Sequence, residues 1–395
     1  ICREAVSWNS PDPEYLSRRW WHDENGSAFS KFTQIPGQRR PLKSNPEATP
    51  FELHRKGERR PAAMRCLIIY PMIRSVAWLV SASGVLGSAI CRAMTIGRHP
   101  SVLTAAELRW LCGVTPETFA DLVIRVGPVW EHERTERLSA RKRQRALGAG
   151  APYRLVFASR LFVTLLHLRH NVPFRALGAM VGMGKDTAHR ATAELVPLLA
   201  EVGFTTAEGD TISSVAELKE FFERRGPGKG VLLDGTFIPT PRPGGGWDAQ
   251  KAQYSGHRHR HCRTTQVCTD MEGRVLWVTE PADGPTHDIT GARNSGVGEA
   301  AAATGTVIVA DRGYQGWGNK PTDPDGLEVF APHKGRPRGK GTYNGYHASI
   351  RVRSEHGIRT LKRYKVLHDF RRHADHLHDT LRAVGALATI RVATA

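Results

Sequence analysis

VLLDGTFIPTPRP, residues 231–243, and VIVADRGYQG, residues 307–316, decide how this chain folds. Each opens with an unbroken apolar run, Val231 to Leu233 in one and Val307 to Ala310 in the other, and each run ends on an aspartate. A short segment that is apolar at every position has the pattern of a strand buried on both faces of a sheet. Gly235 follows the first aspartate, and Arg312, Gly313 and Tyr314 follow the second as a turn. The reading puts Asp234 near the exposed end of one strand and Asp311 at the end of another, so that the two carboxylates meet on neighbouring strands. A third acid, Glu355, lies in RVRSEHGIRTLKRYKVL, residues 351–367, where Ile350, Ile358, Leu361, Tyr364 and Leu367 keep helical spacing despite Gly357. That helix is expected to bring Glu355 to the strand ends.

Three separated carboxylates suit metal-dependent phosphoryl transfer, in which acids hold divalent cations that stabilise the attacking and leaving oxygens of an in-line displacement. Mg2+ takes a few carboxylates, keeps several waters and completes its shell with phosphate oxygens. Taken singly, each acid also suits a helix cap or a solvated turn. Arg351, Glu355 and Lys362 fall within a sector of about 40 degrees on an ideal helix, which fits either a functional acid set between two cations or a solvated face with ion pairs.

Beyond these stretches, YSGHRHRHCRTTQVCTDMEGRVLW (254–277), GPTHDITGAR (284–293) and SEHGIRTLKRYKVL (354–367) follow in order. Together they resemble the bacterial insertion-sequence DDE transposases of the group related to Harbinger-type elements. The resemblance implies that Asp234, Asp311 and Glu355 bind catalytic metal, Mg2+ with Mn2+ able to substitute. It implies an α/β, RNase H-like catalytic domain whose mixed sheet has its first three strands antiparallel, preceded by an all-α helix-turn-helix domain. It also implies action on double-stranded DNA, at transposon inverted repeats and at target DNA, by a homodimer or larger assembly. Related enzymes carry a Tyr, Arg, Glu, Lys signature on the last helix. Arg351, Glu355 and Lys362 match its spacing, whereas Ala348 stands at the tyrosine position and Tyr346 two residues earlier. A His and Asp pair occurs at GPTHDITGAR in such enzymes, making Asp288 a candidate auxiliary metal ligand; the other reading is an acid favoured at a helix start by the helix dipole.

Locally, residues 231–238, 264–270 and 274–280 read as three strands, the last two joined by a turn over Asp270 to Gly273. Thr286 reads as the cap of a helix beginning near His287. Residues 231–392 form the expected catalytic domain, and 204–230, ending in RRGPGKG, an expected linker. Pro239 to Gly246 and Gly335 to Gly345 read as exposed loops able to touch DNA.

Upstream, residues 101–203 read as helical, with Thr115 and Pro116 placed as a cap and first helical residue. Leu138 to His170 carries Lys and Arg but no acid. In VPFRALGAMVGMGKDTAHRATAELVPLL (172–199), Phe174 to Val181, a turn around Gly182 to Gly184 and a helix from Lys185 have helix-turn-helix form. Thr187, His189, Arg190 and Thr192 are expected outward on the second helix, and Lys185, Thr187, His189 and Arg190 are expected DNA contacts. A plain packed helix pair would share the pattern.

Charge points the same way. The 395 residues carry a formal net charge of +18 and a pI near 10.0, which calls for a polyanionic partner, nucleic acid above all. Between Gly335 and Arg372 eleven Lys or Arg residues face two acids, Glu355 and Asp369. The run His257, Arg258, His259, Arg260, His261, Cys262, Arg263 invites a zinc reading. Its alternation, with His257, His259 and His261 on one strand face, fits a basic strand edge contacting phosphate better than the paired spacing of structural zinc. Cysteines at 2, 66, 91, 112, 262 and 268 give neither a disulfide framework nor a metal motif and suit a reducing cytoplasm near the nucleoid.

Residues 1–100 read as a poorly ordered extension, with a product start near Met94 as one expectation. The apolar stretch Cys66 to Cys91 contains Pro71 and Arg74, which argues against a membrane span. Two other functions remain open from the sequence: a nuclease of the same fold that does not transpose, and a decayed, non-enzymatic DNA-binding copy.

Overall fold

The computed structural model describes residues 103–140, 155–334 and 341–393. The expectations for residues 1–100, for Met94 and for the cysteines at 2, 66 and 91 lie outside these residues, as do Arg336, Arg338 and Lys340 of the basic loop.

The helical part starts where its caps say it should. Helix α1, Ala105–Cys112, opens on a reciprocal capping box in which Glu107 N–H donates to the Thr104 hydroxyl (3.2 Å) and Thr104 N–H donates to the Glu107 carboxylate (2.9 Å). Helix α2, Pro116–Ser139, begins with Thr115 as cap and Pro116 at its first position, as expected. Helices α3 (Phe157–His170), α4 (Phe174–Met180) and α5 (Lys185–Ala200) complete a bundle around Leu161, Leu165, Leu177, Leu195 and Leu199, all buried. The α4–α5 turn is tight: a Cβ on Gly178 would stand 2.7 Å from the Met183 carbonyl oxygen, so only glycine fits.

The stretch read as a linker is structured. It carries the strands β1 (Phe204–Thr205) and β2 (Thr211–Ile212) and the helix α6 (Val215–Arg225), which Ser214 caps and which buries Leu218, Phe221 and Phe222.

The sheet follows: β3 (Gly230–Pro239), α7 (Gly246–Gln253), β4 (Tyr254–Ser255), β5 (Arg260–Thr269), β6 (Val275–Val278), β7 (Ala282–Asp283), α8 (Asp288–Arg293), α9 (Val297–Thr304), β8 (Val307–Ala310) and β9 (Val329–Phe330). Two helices, α10 (Gly341–Lys362) and α11 (Leu377–Ala393), close the fold. Strand order runs β4, β5, β3, β8, β9, with β6 and β7 also pairing with β5. The pairs β3/β5 and β5/β6 are antiparallel and β3/β8 and β8/β9 parallel, so the sheet is mixed and the expected antiparallel trio is β3, β5 and β6. Helix α11 packs on α5, β1 and β6; a Cβ on Gly385 would meet the Phe204 ring at 2.1 Å. The bundle and the sheet thus share a core.

Several local expectations are corrected. Asp234 is not near a strand end: β3 runs on to Pro239 because β5 continues to pair with it there, up to Pro239 opposite Cys262. The residue capping α8 is His287, not Thr286, whose N–H instead closes a turn on Asp283. Gly341 to Gly345 belong to the first turns of α10 rather than to a loop. Gly357, which looked like a flaw in its helix, is where α10 touches the sheet: a Cβ there would lie 2.6 Å from Thr269 Cγ2. Among the described residues no helix is long and apolar enough to cross a membrane.

Candidate active site

Parallel pairing of β3 with β8 ends at Leu233 opposite Ala310, so Asp234 and Asp311 occupy the next position on each strand. They are neighbours because the apolar runs before them are in register. Asp234 is buried at 8 % exposure, and one of its carboxylate oxygens accepts from Ser354 Oγ (3.1 Å) and from Arg351 Nη1 (3.3 Å). The other side of the same guanidinium donates to Glu355 Oε1 at 3.3 Å, so Arg351 ties the strand acid to the helix acid. Asp311 caps the short turn Arg312–Tyr314, its Oδ1 accepting from Gly313 N–H at 2.8 Å.

Asp288, at the start of α8, is the fourth acid of this group. Its carboxylate lies over Gly235, where an added Cβ would be 2.3 Å from Oδ1, and beside Gly313, where an added Cβ would be 3.3 Å from Oδ2. Asp288 can occupy this place only because Gly235 has no side chain. Burial raises the pKa of Asp288, and the negative charge of Asp311 raises it further, against a hydrogen bond from Gln266. Burial likewise raises Asp234, with Asp311 adding to the effect and Ser354 and Arg351 opposing it. The Tyr314 phenol is pushed well above its ordinary range, first by burial and then by all three aspartates.

Sequence reading missed Ser354, Gln266 and Tyr314. Ser354 stands three residues after Arg351, on the same helix face, which was a legible signal. Gln266, opposite Gly235 on β5, is 1 % exposed and accepts a hydrogen bond from Tyr314 Oη. A fully buried amide next to the buried Thr265 on a central strand marks a buried polar network.

The donor set is all oxygen and negatively charged, with two acids whose pKa values rise through burial first and the like charge of Asp311 second. That chemistry fits a hard divalent cation. No group of three or more His, Cys, Asp or Glu side chains among the described residues stands ready-made around an ion, and Glu355 is turned to Arg351 and half exposed.

Basic residues form the surroundings. Lys362 Nζ lies 4.9 Å from the centre of the Phe237 ring. His257 and His259 do not share a strand face with His261: they sit in the turn before β5, with His259 in a left-handed conformation (φ 52°). The strand reading fails there because the chain reverses at Gly256 to His259 to pair β4 with β5. In the bundle, Lys185, His189 and Arg190 are exposed on α5 and Thr187 is partly so, as expected. Thr192 is not outward; it is buried, and its hydroxyl donates to the Ala188 carbonyl at 3.2 Å. Tyr346 is 69 % exposed on α10.

Comparison with known proteins bears on both parts. Residues 233–389 match a family described as DDE superfamily endonuclease, and residues 153–205 match the helix-turn-helix of DDE superfamily endonuclease. A Streptomyces albus G protein, named provisionally as the transposase for insertion sequence element IS112, is 27 % identical over 297 residues, covering 72 % of this chain and 96 % of the relative. No solved structure matches the chain.

Proposed function

We propose, on the premise that this chain is a DDE-superfamily protein of the insertion-sequence transposase kind with its own helix-turn-helix, that it cuts DNA at the ends of a mobile element and joins them to target DNA. The observation carrying this reading is the convergence of Asp234, Asp311 and Asp288 at the β3/β8 register end, with Glu355 linked to them through Arg351. The strand order and pairing support an RNase H-like sheet.

Asp234, Asp311 and Glu355, with Asp288 beside them, would hold Mg2+, or Mn2+ in its place. When bound, the cations supply stabilisation of the entering and leaving oxygens in an in-line displacement at phosphorus. Ser354 fixes the orientation of the Asp234 carboxylate, and the Tyr314, Gln266 and Asp288 chain of hydrogen bonds fixes the fourth acid. Arg351 neutralises Asp234 and Glu355 and is placed to pass to a DNA phosphate when the acids turn elsewhere. Lys362 holds a phosphate further along the strand. Lys185, Thr187, His189 and Arg190 on α5 read the element ends, and the hairpin turn with His257 and His259 adds phosphate contact. Two ends must be cut together, so a dimer or larger assembly on DNA is part of the reading, in the cytoplasm where the nucleoid lies.

Cleavage of a plasmid carrying the gene's native flanks tests this. Mg2+-dependent cuts at discrete flank positions, lost in Glu355→Gln while DNA binding persists, are expected. Binding without cutting in either protein would instead favour a DNA-binding copy that has lost its chemistry.

A further inference from the structure

Three residues past Asp234 on β3, the ring of Phe237 carries two cations. The Arg258 guanidinium carbon is 4.3 Å from the ring centre and Lys362 Nζ is 4.9 Å from it. Neither forms an ion pair with a carboxylate among the described residues. The two come from distant parts of the chain. Lys362 ends α10, and Arg258 stands in the β4–β5 turn, where its N–H donates to the Ser255 carbonyl (3.2 Å) and the left-handed His259 completes the reversal. Burial lowers the pKa of Lys362, and the charge of Arg258 lowers it further. An aromatic face attracts each cation, but it does not remove their mutual repulsion. An anion between them would.

We propose that Arg258 and Lys362, seated together on Phe237, clamp one backbone phosphate of the DNA strand, distinct from the phosphate at the acids. This deepens, and rests on, the reading of the protein as a DNA-cutting enzyme. The turn before β5 leads into the strand that pairs with β3 alongside the acids, Asp234 lying opposite Val267 and Pro239 opposite Cys262. Phe237 is three strand residues from Asp234, roughly 10 Å at about 3.3 Å each, and Lys362 is seven helical residues from Glu355, also roughly 10 Å at about 1.5 Å each. The clamped phosphate is therefore about three nucleotides from the one being cut, given about 3.4 Å of axial rise per nucleotide. Phe237 is the positioning residue, and Arg258 and Lys362 are the binding residues.

The experiment uses the full chain without divalent metal and a duplex of the native flank, with single phosphates replaced in turn by neutral methylphosphonate. The wild type is expected to lose about fivefold to tenfold in affinity at one position near the cut, and Arg258→Gln to lose little at that same position. The slope of log affinity against log salt should fall by about one in Arg258→Gln. Phe237→Leu, which keeps bulk but removes the ring face, should behave like Arg258→Gln, and Phe237→Tyr like the wild type. Arg258 is exposed in a turn, so its variant reports even if Phe237→Leu folds poorly. A wild type that binds while Arg258→Gln loses as much as it does at every position would overturn the clamp alone. A wild type with no salt-dependent affinity for the duplex would overturn the DNA reading and the clamp with it.

Discussion

Both halves of this molecule bury ionisable side chains, and they do so to opposite ends. In the bundle, His167 and His170 lie on α3, each with one ring nitrogen bonded to a carbonyl, Val172 at 2.9 Å and Trp110 at 3.1 Å, and each against an aromatic ring. Burial is the main cause that lowers both to about 4, so they are neutral at pH 7 and act as polar core residues. In the sheet, Asp234 and Asp288 are also buried, but Asp311 stands beside both and raises them further. A shifted pKa is therefore common to both regions. What separates a site from a core is crowding of like charge with no matching number of opposite charges, which costs stability and persists where function uses it.

The largest test of that contrast is Asp311→Asn. The amide keeps the oxygen that accepts from Gly313 N–H but removes the charge. Cleavage should fall below detection, while the thermal midpoint should rise by about 2–4 °C, the response of a unit of this size to roughly 1 kcal/mol. Midpoint and plasmid cleavage measured on the same preparation check it; a lower midpoint with cleavage retained would erase the difference between the two regions.

The histidines sharpen the other side through pH. Their folded pKa values lie below the ordinary 6.5, so the unfolded chain binds more protons between these values and stability falls as pH drops. Urea unfolding should show no change from them above about pH 6.5 and a loss of about 3 kcal/mol for each histidine between about pH 6.5 and 4, with no further loss below.

Smaller effects follow from packing. Gly235→Ala would push a methyl group into the Asp288 carboxylate, and cleavage should drop about 100-fold, as a displacement of about 1 Å can cost in an oriented site; single-turnover rates measure it. Glu194→Gln in the bundle should cost about 1–2 kcal/mol, because Glu194 accepts from Trp130 Nε1 (3.0 Å) and Arg160 Nη1 (3.1 Å). It should leave the cleavage rate of the folded protein unchanged.

How much of this was legible in the sequence differs between the two regions in the same way. The acids announced themselves because each strand acid ends an apolar run, and the register of those runs then makes Asp234 and Asp311 neighbours. The helix of Glu355 was visible in its spacing. Asp288 was visible as a candidate, but its seat was not, because the seat is the missing side chain of Gly235 on β3, far from it in sequence. Arg258 and Phe237 were hidden for a related reason: alternation suggested a straight strand from His257 to His261, whereas a turn at Gly256 to His259 sends Arg258 back over the sheet. The connector at 204–230 misled because the Gly and Pro of its last residues outweighed Leu218, Phe221 and Phe222, whose spacing is that of a buried helix face.

The most direct measurement is thermal unfolding of wild type and Asp311→Asn, without DNA, across a Mg2+ titration. If the crowded carboxylates are a cation site, the wild-type midpoint rises with Mg2+ as ligand binding to the folded state requires, and that of Asp311→Asn does not. An equal response in both proteins, or none in the wild type, would contradict the assignment of these acids as the metal-holding centre.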